Sequence, residues 1–479
     1  MTPRCVLALD QGGHASRALV FDATGRVLAK AERHISTRRE GKLKVEHTAA
    51  AVLRSLQEAA AEAVAALPAG VEIHAAALAT QRSSIACWDR TDVRPLSSVL
   101  SWQDRRAVRK VKALASHARR VRRLTGLVLS PHYGATKLAW CLKHVPAVRQ
   151  AARDGRLAAG PLASYLAAGL TEQHPCVADP VNGFRTQLME LKTMAWSQEL
   201  CDLFHVPMPV LPECVPNQYG FGDLRVAGRP IPLTVVTGDQ PAALFAQGQP
   251  EPGIAYINIG TGAFVQALAE RDVPGLLRSV LWRDARRTLF ALEGTVNGAA
   301  TALDTVAKQR GLTQARMMRQ LASWLAELEE PPLFLNGVGG LAAPYWQPEF
   351  RSRFVGSGDT PARIVAVVES IGFLLHANLR RMQEHGLGFT RLRVSGGLSQ
   401  LDGLCQRLAS LSGLPVERPK LYEATAMGLA RLAGGLTQMQ PIAYERFGPR
   451  TDPALRTREQ RWQRAMQAAL QGPRNEKAR

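Results

Sequence analysis

One pattern occurs twice in this chain and constrains the fold more than anything else: an apolar run, a glycine-centred turn, and a second apolar run. The first copy runs from Val6 to Leu9, through Asp10 and Gln11-Gly12-Gly13, and out along Ala18 to Phe21. A turn at Asp22-Ala23-Thr24-Gly25 and the run Val27 to Ala31 follow. Short apolar runs punctuated by glycine read as strand, tight turn, strand. The second copy is Ala255 to Ile259, Gly260-Thr261-Gly262 and Phe264 to Leu268, so a duplicated architecture is expected. Alanine-rich stretches at Thr48 to Leu67 and Pro361 to His385 carry apolar residues at helical spacing. The class is therefore α/β, with mixed sheets flanked by helices. Gly248, Pro250, Pro252 and Gly253 cluster just before the second copy and predict a division into 1–247, 248–435 and a basic extension 436–479. The arginine-rich stretch from Arg456 reads as a surface helix that frays at its end.

A chain of 479 residues can bury two cores. Asp10 interrupts the first apolar run, and no later run is long enough to span a bilayer, so no membrane association is expected. The seven cysteines are scattered and never form a C-x-x-C pair, which points to a reducing, cytoplasmic setting. A formal charge of +20 raises nucleic acid as a partner. The densest basic cluster, Asp104 to Arg123, contains no aromatic residue, which argues against nucleic acid and for a solvated helical face.

Three turns and one carboxylate could carry chemistry. Asp10 at a strand end can orient the waters of a magnesium ion, while Gly12 and Gly13 let backbone N–H groups approach phosphate oxygens; a plain hairpin gives the same string. Gly260-Thr261-Gly262 and Ser395-Gly396-Gly397 offer the same bare backbone in the second half. Asp239, after the run Leu233 to Val236, fits either a general base or the N-cap of a helix beginning at Pro241, and spacing alone favours the cap.

Further strings fall in a recognisable order: Ser16-Arg17-Ala18, Gln81-Arg82, Trp102-Gln103-Asp104-Arg105-Arg106, Thr136-Lys137-Leu138, Gly238-Asp239-Gln240, Leu292-Glu293-Gly294 and Ala343-Pro344-Tyr345-Trp346. With the glycine turns they make the chain resemble, from Val6 to Ala433, the FGGY family of carbohydrate kinases, glycerol kinases in particular. The resemblance implies two actin-like, ribonuclease-H-like domains that use ATP and magnesium on a small polyol or sugar. It implies Asp239 as general base and Asp10 as the magnesium-linked carboxylate. It implies Arg82, Ser83, Trp102, His132, Gln240 and Phe264 around the acceptor, and Gly12, Gly13, His14, Arg17, Thr261, Gly262, Ala300, Asp304, Gly396 and Gly397 around the nucleotide. Whether copies of the chain associate is left open.

The departures from that pattern fall at functional positions. Gly13-His14-Ala15 stands where the family has Thr-Thr-Ser, removing three hydroxyls. Ala300 and Asp304 replace a glycine and a glutamine, and Leu401 an asparagine. Ser83 replaces a glutamate and His132 a tyrosine, so an acceptor longer than glycerol is expected. The competing reading is a catalytically weak homologue that binds a polyol and acts as a regulator.

Overall fold

The computed structural model describes residues 5–471 apart from 42, 227, 329, 422 and 440. The backbone forms two compact units. The first comprises Met1–Pro250, Ser279–Phe290 and Leu421–Pro441, the second Glu251–Arg278, Ala291–Lys420 and Ile442–Arg479, so the chain passes between them repeatedly.

In the first unit, β1 (Cys5–Gln11) is buried along its whole length, as a run of apolar residues in the middle of a sheet should be. It pairs antiparallel with β2 (Ala15–Phe21), which pairs antiparallel with β3 (Val27–His34). Helix α1 (Ala49–Ala65) buries Val52, Leu56, Ala59 and Ala63, a stripe at three- and four-residue spacing. On the other side of β1 lies β4 (Ile73–Thr80), parallel to it, and beyond it β5 (Arg229–Gly238), parallel to β4; helix α2 (Gly134–His144) falls between these two strands in sequence and packs in a separate apolar cluster. The register aligns Gln11 with Thr80 and Thr80 with Gly238. Three parallel strands thus end together, at the edge where parallel sheets commonly bind ligands. Helix α3 (Asp239–Phe245) starts where β5 stops.

The second unit repeats the plan. Strand β6 (Ile254–Ile259) forms a hairpin with β7 (Ala263–Leu268), and β7 pairs antiparallel with the Ala291–Val296 part of β8 (Thr288–Val296). After α4 (Ala300–Gln309) and α5 (Thr360–Glu384) comes β9 (Arg391–Ser395), parallel to β6, and then β10 (Val416–Pro419), parallel to β9. A three-strand antiparallel set joined to parallel strands in each unit is the duplication expected from the two glycine turns. Helix α5 is long and apolar enough to cross a membrane by length and composition, but 89% of its most apolar window is buried in the core of this unit. It is a core helix.

The arginine-rich C-terminal stretch is the surface helix expected, and it is also anchored: α6 (Pro453–Gln471) leaves Arg456, Arg461 and Arg464 exposed and inserts Leu455, Trp462 and Met466 into the core of the second unit. The Trp462 indole is fully buried and donates to the Phe334 carbonyl at 3.0 Å. Arg458 pairs with buried Glu369 at 2.7 Å. Charged residues on the remaining face hid this apolar stripe in the composition. The frayed end expected after it falls on residues 472–479, outside the described residues.

Candidate active site

The strand ends of the first unit assemble a polar cluster. The turn after β1 is closed by the Gly12 N–H donating to Ala15 O at 2.9 Å. The Gln81 amide N–H donates to Gln11 O, and its side-chain nitrogen donates to Gly12 O at 3.2 Å, so the first residue after β4 fastens the hairpin. Asp10 is buried, and its Oδ1 accepts no hydrogen bond among the described residues. Burial, then the nearby Asp239 charge, raises its carboxyl to about 7, with Arg17 opposing. Asp239 is raised above the usual carboxylate range, again first by burial, with Arg82 and Arg185 pulling it back. Its side chain keeps more solvent exposure than that of Asp10.

Two carboxylates that disfavour each other's ionisation, one with a buried oxygen lacking a donor, suit a cation. Among the described residues no group of three or more His, Cys, Asp or Glu side chains could cage one. Such a site fits magnesium held through a carboxylate, waters and phosphate oxygens better than a metal bound by protein ligands alone.

The N-cap of α3 is Gly238, with no side-chain cap; Asp239 is the first residue inside the helix and accepts from the Gln240 N–H at 2.8 Å. The N-cap role that spacing favoured therefore belongs to another residue. Gly238 is glycine for a local reason: a Cβ there would lie 2.6 Å from Arg82 Cγ. The Arg82 stem lies over that bare backbone and its guanidinium donates to Gln240 Oε1.

Ser83, Trp102 and His132 come from three loops. Ser83 has φ of 65°, left-handed backbone that a residue with a Cβ adopts only at a cost. The Trp102 N–H donates to Ser84 Oγ at 2.9 Å, and its carbonyl lies 3.1 Å from His132 Nδ1. Burial pulls the His132 ring down to about 4, so at neutral pH it is uncharged. A neutral ring donating Nδ1–H to that carbonyl leaves Nε2 as an acceptor, where a tyrosine would offer a hydroxyl. The Lys137 ammonium, on α2, donates to the carbonyls of Ser83, Ser101 and His132. Asp104 and Arg106 are scaffold: Asp104 accepts from the Val45 N–H, and Arg106 pairs with Asp104 and Glu46.

In the second unit the Gly260 N–H donates to Gly262 O at 2.8 Å, and Thr261 is exposed at the turn. The Ala300 N–H donates to Gly260 O, setting the turn on the start of α4. A Cβ at Gly262 would approach Val296 O to 2.8 Å, and one at Gly396, whose φ is 88°, would approach Ile259 O to 2.7 Å. The backbone is bare because it is crowded from behind. Phe264 is half-buried on β7, and Asp304 is exposed on α4. Leu401 is buried in the core and offers a ligand nothing.

The structure thus gathers Asp10, Arg82, Asp239 and Gln240 in one unit, and in the other Thr261, Gly262, Gly396 and Gly397 just past strand ends, with Ala300 at the start of α4. His14 is exposed at the hairpin tip. Arg17 is engaged in ion pairs with Glu32 at 2.9 Å and Glu423 at 3.8 Å. Two residues escaped the sequence reading of the site. Arg185, buried near Asp239, had only the string Phe184-Arg185-Thr186 to announce it. Lys137 stood in a recognised motif with no role attached.

Comparison with known proteins identifies the family. The profile of the FGGY family of carbohydrate kinases, N-terminal domain, fits residues 5–246, and that of the C-terminal domain fits residues 255–435. A glycerol kinase of a Geobacter species is 34% identical, covering 97% of this chain and 98% of the relative; one of Rhodospirillum rubrum is 36% identical, covering 90% and 89%. Among solved structures, Plasmodium falciparum glycerol kinase with ADP superposes with a TM-score of 0.87 at 22% identity, covering 97% of this chain and 98% of that one. A xylulose kinase from Brucella ovis gives 0.83 at 22% identity, covering 96% and 98%. With both family domains matched in order and relatives above 30% identity along nearly the whole chain, this protein belongs to the FGGY family of carbohydrate kinases.

Proposed function

We propose that this carbohydrate kinase transfers the γ-phosphoryl group of ATP to a primary hydroxyl of a small polyol or sugar, with Asp239 as general base. The observation that carries the reading is the shared strand ending of Gln11, Thr80 and Gly238, which brings Asp10, Arg82 and Asp239 to one edge. Asp239 accepts the hydroxyl proton as the new O–P bond forms and ADP leaves. A carboxyl raised above its usual range by burial is a better base, and the Arg82 and Arg185 charges act against that rise. Arg82 and Gln240, bonded to each other, orient the acceptor. Asp10 would hold magnesium through water, and the ion would offset charge on the phosphate oxygens. Thr261, Gly262, Gly396 and Gly397 would receive the nucleotide.

The acceptor is longer than glycerol, because Ser83 and neutral His132 leave room and offer a short hydroxyl and a lone pair. All seven cysteines are free thiols, which supports a cytoplasmic setting. The alternative, a weakly active polyol-binding regulator, draws on the hairpin's missing hydroxyls at Gly13-His14-Ala15 and on the engagement of Arg17 with two carboxylates.

The test is an ADP-release screen over polyols and ketoses, then Asp239→Asn with the best acceptor. Turnover should fall at least about a hundredfold, as for loss of a general base, with acceptor binding retained. Acceptor binding without turnover in the unmodified chain would favour the regulator.

A further inference from the structure

We infer that Lys137 is a positioning residue for the acceptor: its ammonium holds the three loops bearing Ser83, Trp102 and His132 in one arrangement. The inference rests on the kinase reading above and goes beyond it, since the Lys137 ammonium spends its N–H bonds on backbone carbonyls and acts through the loops.

The geometry is specific. Lys137 is fully buried, and its Nζ donates to Ser83 O at 3.0 Å, Ser101 O at 2.8 Å and His132 O at 2.7 Å. An ammonium has three N–H bonds, and all are used. Two of these carbonyls belong to residues expected at the acceptor, and the third belongs to the residue before Trp102. The three segments are far apart in sequence: the pairing of Ile85 with Leu100 brings the 83–84 and 101 ends side by side, and the ammonium is what joins the segment at 132 to both. The left-handed backbone of Ser83 persists only where the surroundings over-determine it, and a carbonyl anchored to a buried cation does that. The cross-links of Trp102 to Ser84 Oγ and His132 Nδ1 join the same loops, but each ties only two.

Stability alone does not explain a lysine here. Burial pulls its ammonium down to about 7; Asp104 and Cys141 act against this, and the charge of Arg106 acts with it. Methionine would fill the same channel without the cost of desolvating a charge. What methionine lacks is the ability to bind three carbonyls at once.

The experiment compares the full-length chain with Lys137→Met and Lys137→Gln. It measures KM for the best acceptor from the ADP-release screen, KM for ATP, kcat, thermal unfolding, and backbone hydrogen exchange around residues 83–85, 101–103 and 131–133. Lys137→Met should raise acceptor KM at least about tenfold, the scale of losing hydrogen bonds to a charged group, leave ATP KM within about twofold, and speed exchange in the three loops together. Lys137→Gln, with two N–H donors, should fall between. Unchanged acceptor KM overturns the inference, and so does an equal rise in both KM values with a lowered unfolding temperature, which marks a merely structural role. If Lys137→Met does not fold, the Gln variant decides by the same criteria. Should the unmodified chain transfer no phosphoryl group, the kinase reading fails by itself, and coordinated exchange in the three loops still decides whether Lys137 organises them.

Discussion

The two carboxylates at the end of the first sheet imply a trade between stability and chemistry that can be measured with Asp10→Asn. In the folded chain the Asp10 carboxyl is raised from 3.8 to about 7, chiefly by burial and then by Asp239. The folded state therefore keeps a proton that the unfolded chain releases between those values. The favourable contribution is fully present below pH 3.8 and lost as pH rises through about 7. A shift of about 3 units at about 1.4 kcal/mol each makes ionised Asp10 cost on the order of 4 kcal/mol at pH 8. Asparagine has the same shape and no charge to bury. In metal-free buffer Asp10→Asn should be more stable than the unmodified chain by about 2 to 4 kcal/mol at pH 8, with the gain shrinking through pH 6 and gone near pH 4. Chemical denaturation of both proteins across that range reads the difference directly. The variant should at the same time lose phosphoryl transfer at least about a hundredfold. A gain of equal size at pH 4 and pH 8, or none at pH 8, would refute the claim that a buried, charge-repelled carboxylate sits at the hairpin.

Two other outcomes follow from the packing and the pocket. Trp462→Ala empties a fully buried site and strands the Phe334 carbonyl, so the second unit should lose about 3 to 5 kcal/mol in urea unfolding while the first unit's transition stays put; a loss under about 1 kcal/mol means α6 does not anchor that core. Ser83→Glu with His132→Tyr restores a carboxylate and a hydroxyl, so kcat/KM for glycerol should rise relative to four- and five-carbon polyols and ketoses. An unmodified chain that prefers glycerol over every longer acceptor would sink the pocket argument.

What could be read from the sequence is what local chemistry determines. Gly12-Gly13 and Gly260-Thr261-Gly262 mark hairpins because a glycine turn between apolar runs has few other solutions, and the repetition gave away the duplicated plan. What could not be read depends on residues meeting from afar. Nothing near Asp239 says that β5 stops level with β1 and β4, so its spacing before Pro241 favoured a cap; in the fold Gly238 takes the N-cap and Asp239 is the first residue of the helix. Trp462 and Met466 were legible as spacing but were outvoted by the arginines around them, because composition averages over faces that packing keeps apart. Lys137 is the extreme case. On its own helix it is one polar residue among Gly134, Ala135, Thr136 and Leu138, and every one of these is buried too. Its meaning lies in three carbonyls from loops at 83, 101 and 132; strings such as Gln81-Arg82 and Trp102-Gln103 mark two of these loops, but nothing in them says that they meet at one lysine. A buried lysine with no acidic neighbour in its own helix is nevertheless a physical anomaly, because an ammonium cannot stay in a core without acceptors for its protons. A lysine in the middle of an apolar helical stripe is therefore the sequence signal that could have found this residue: it says that acceptors must arrive from elsewhere in the chain, though not from where.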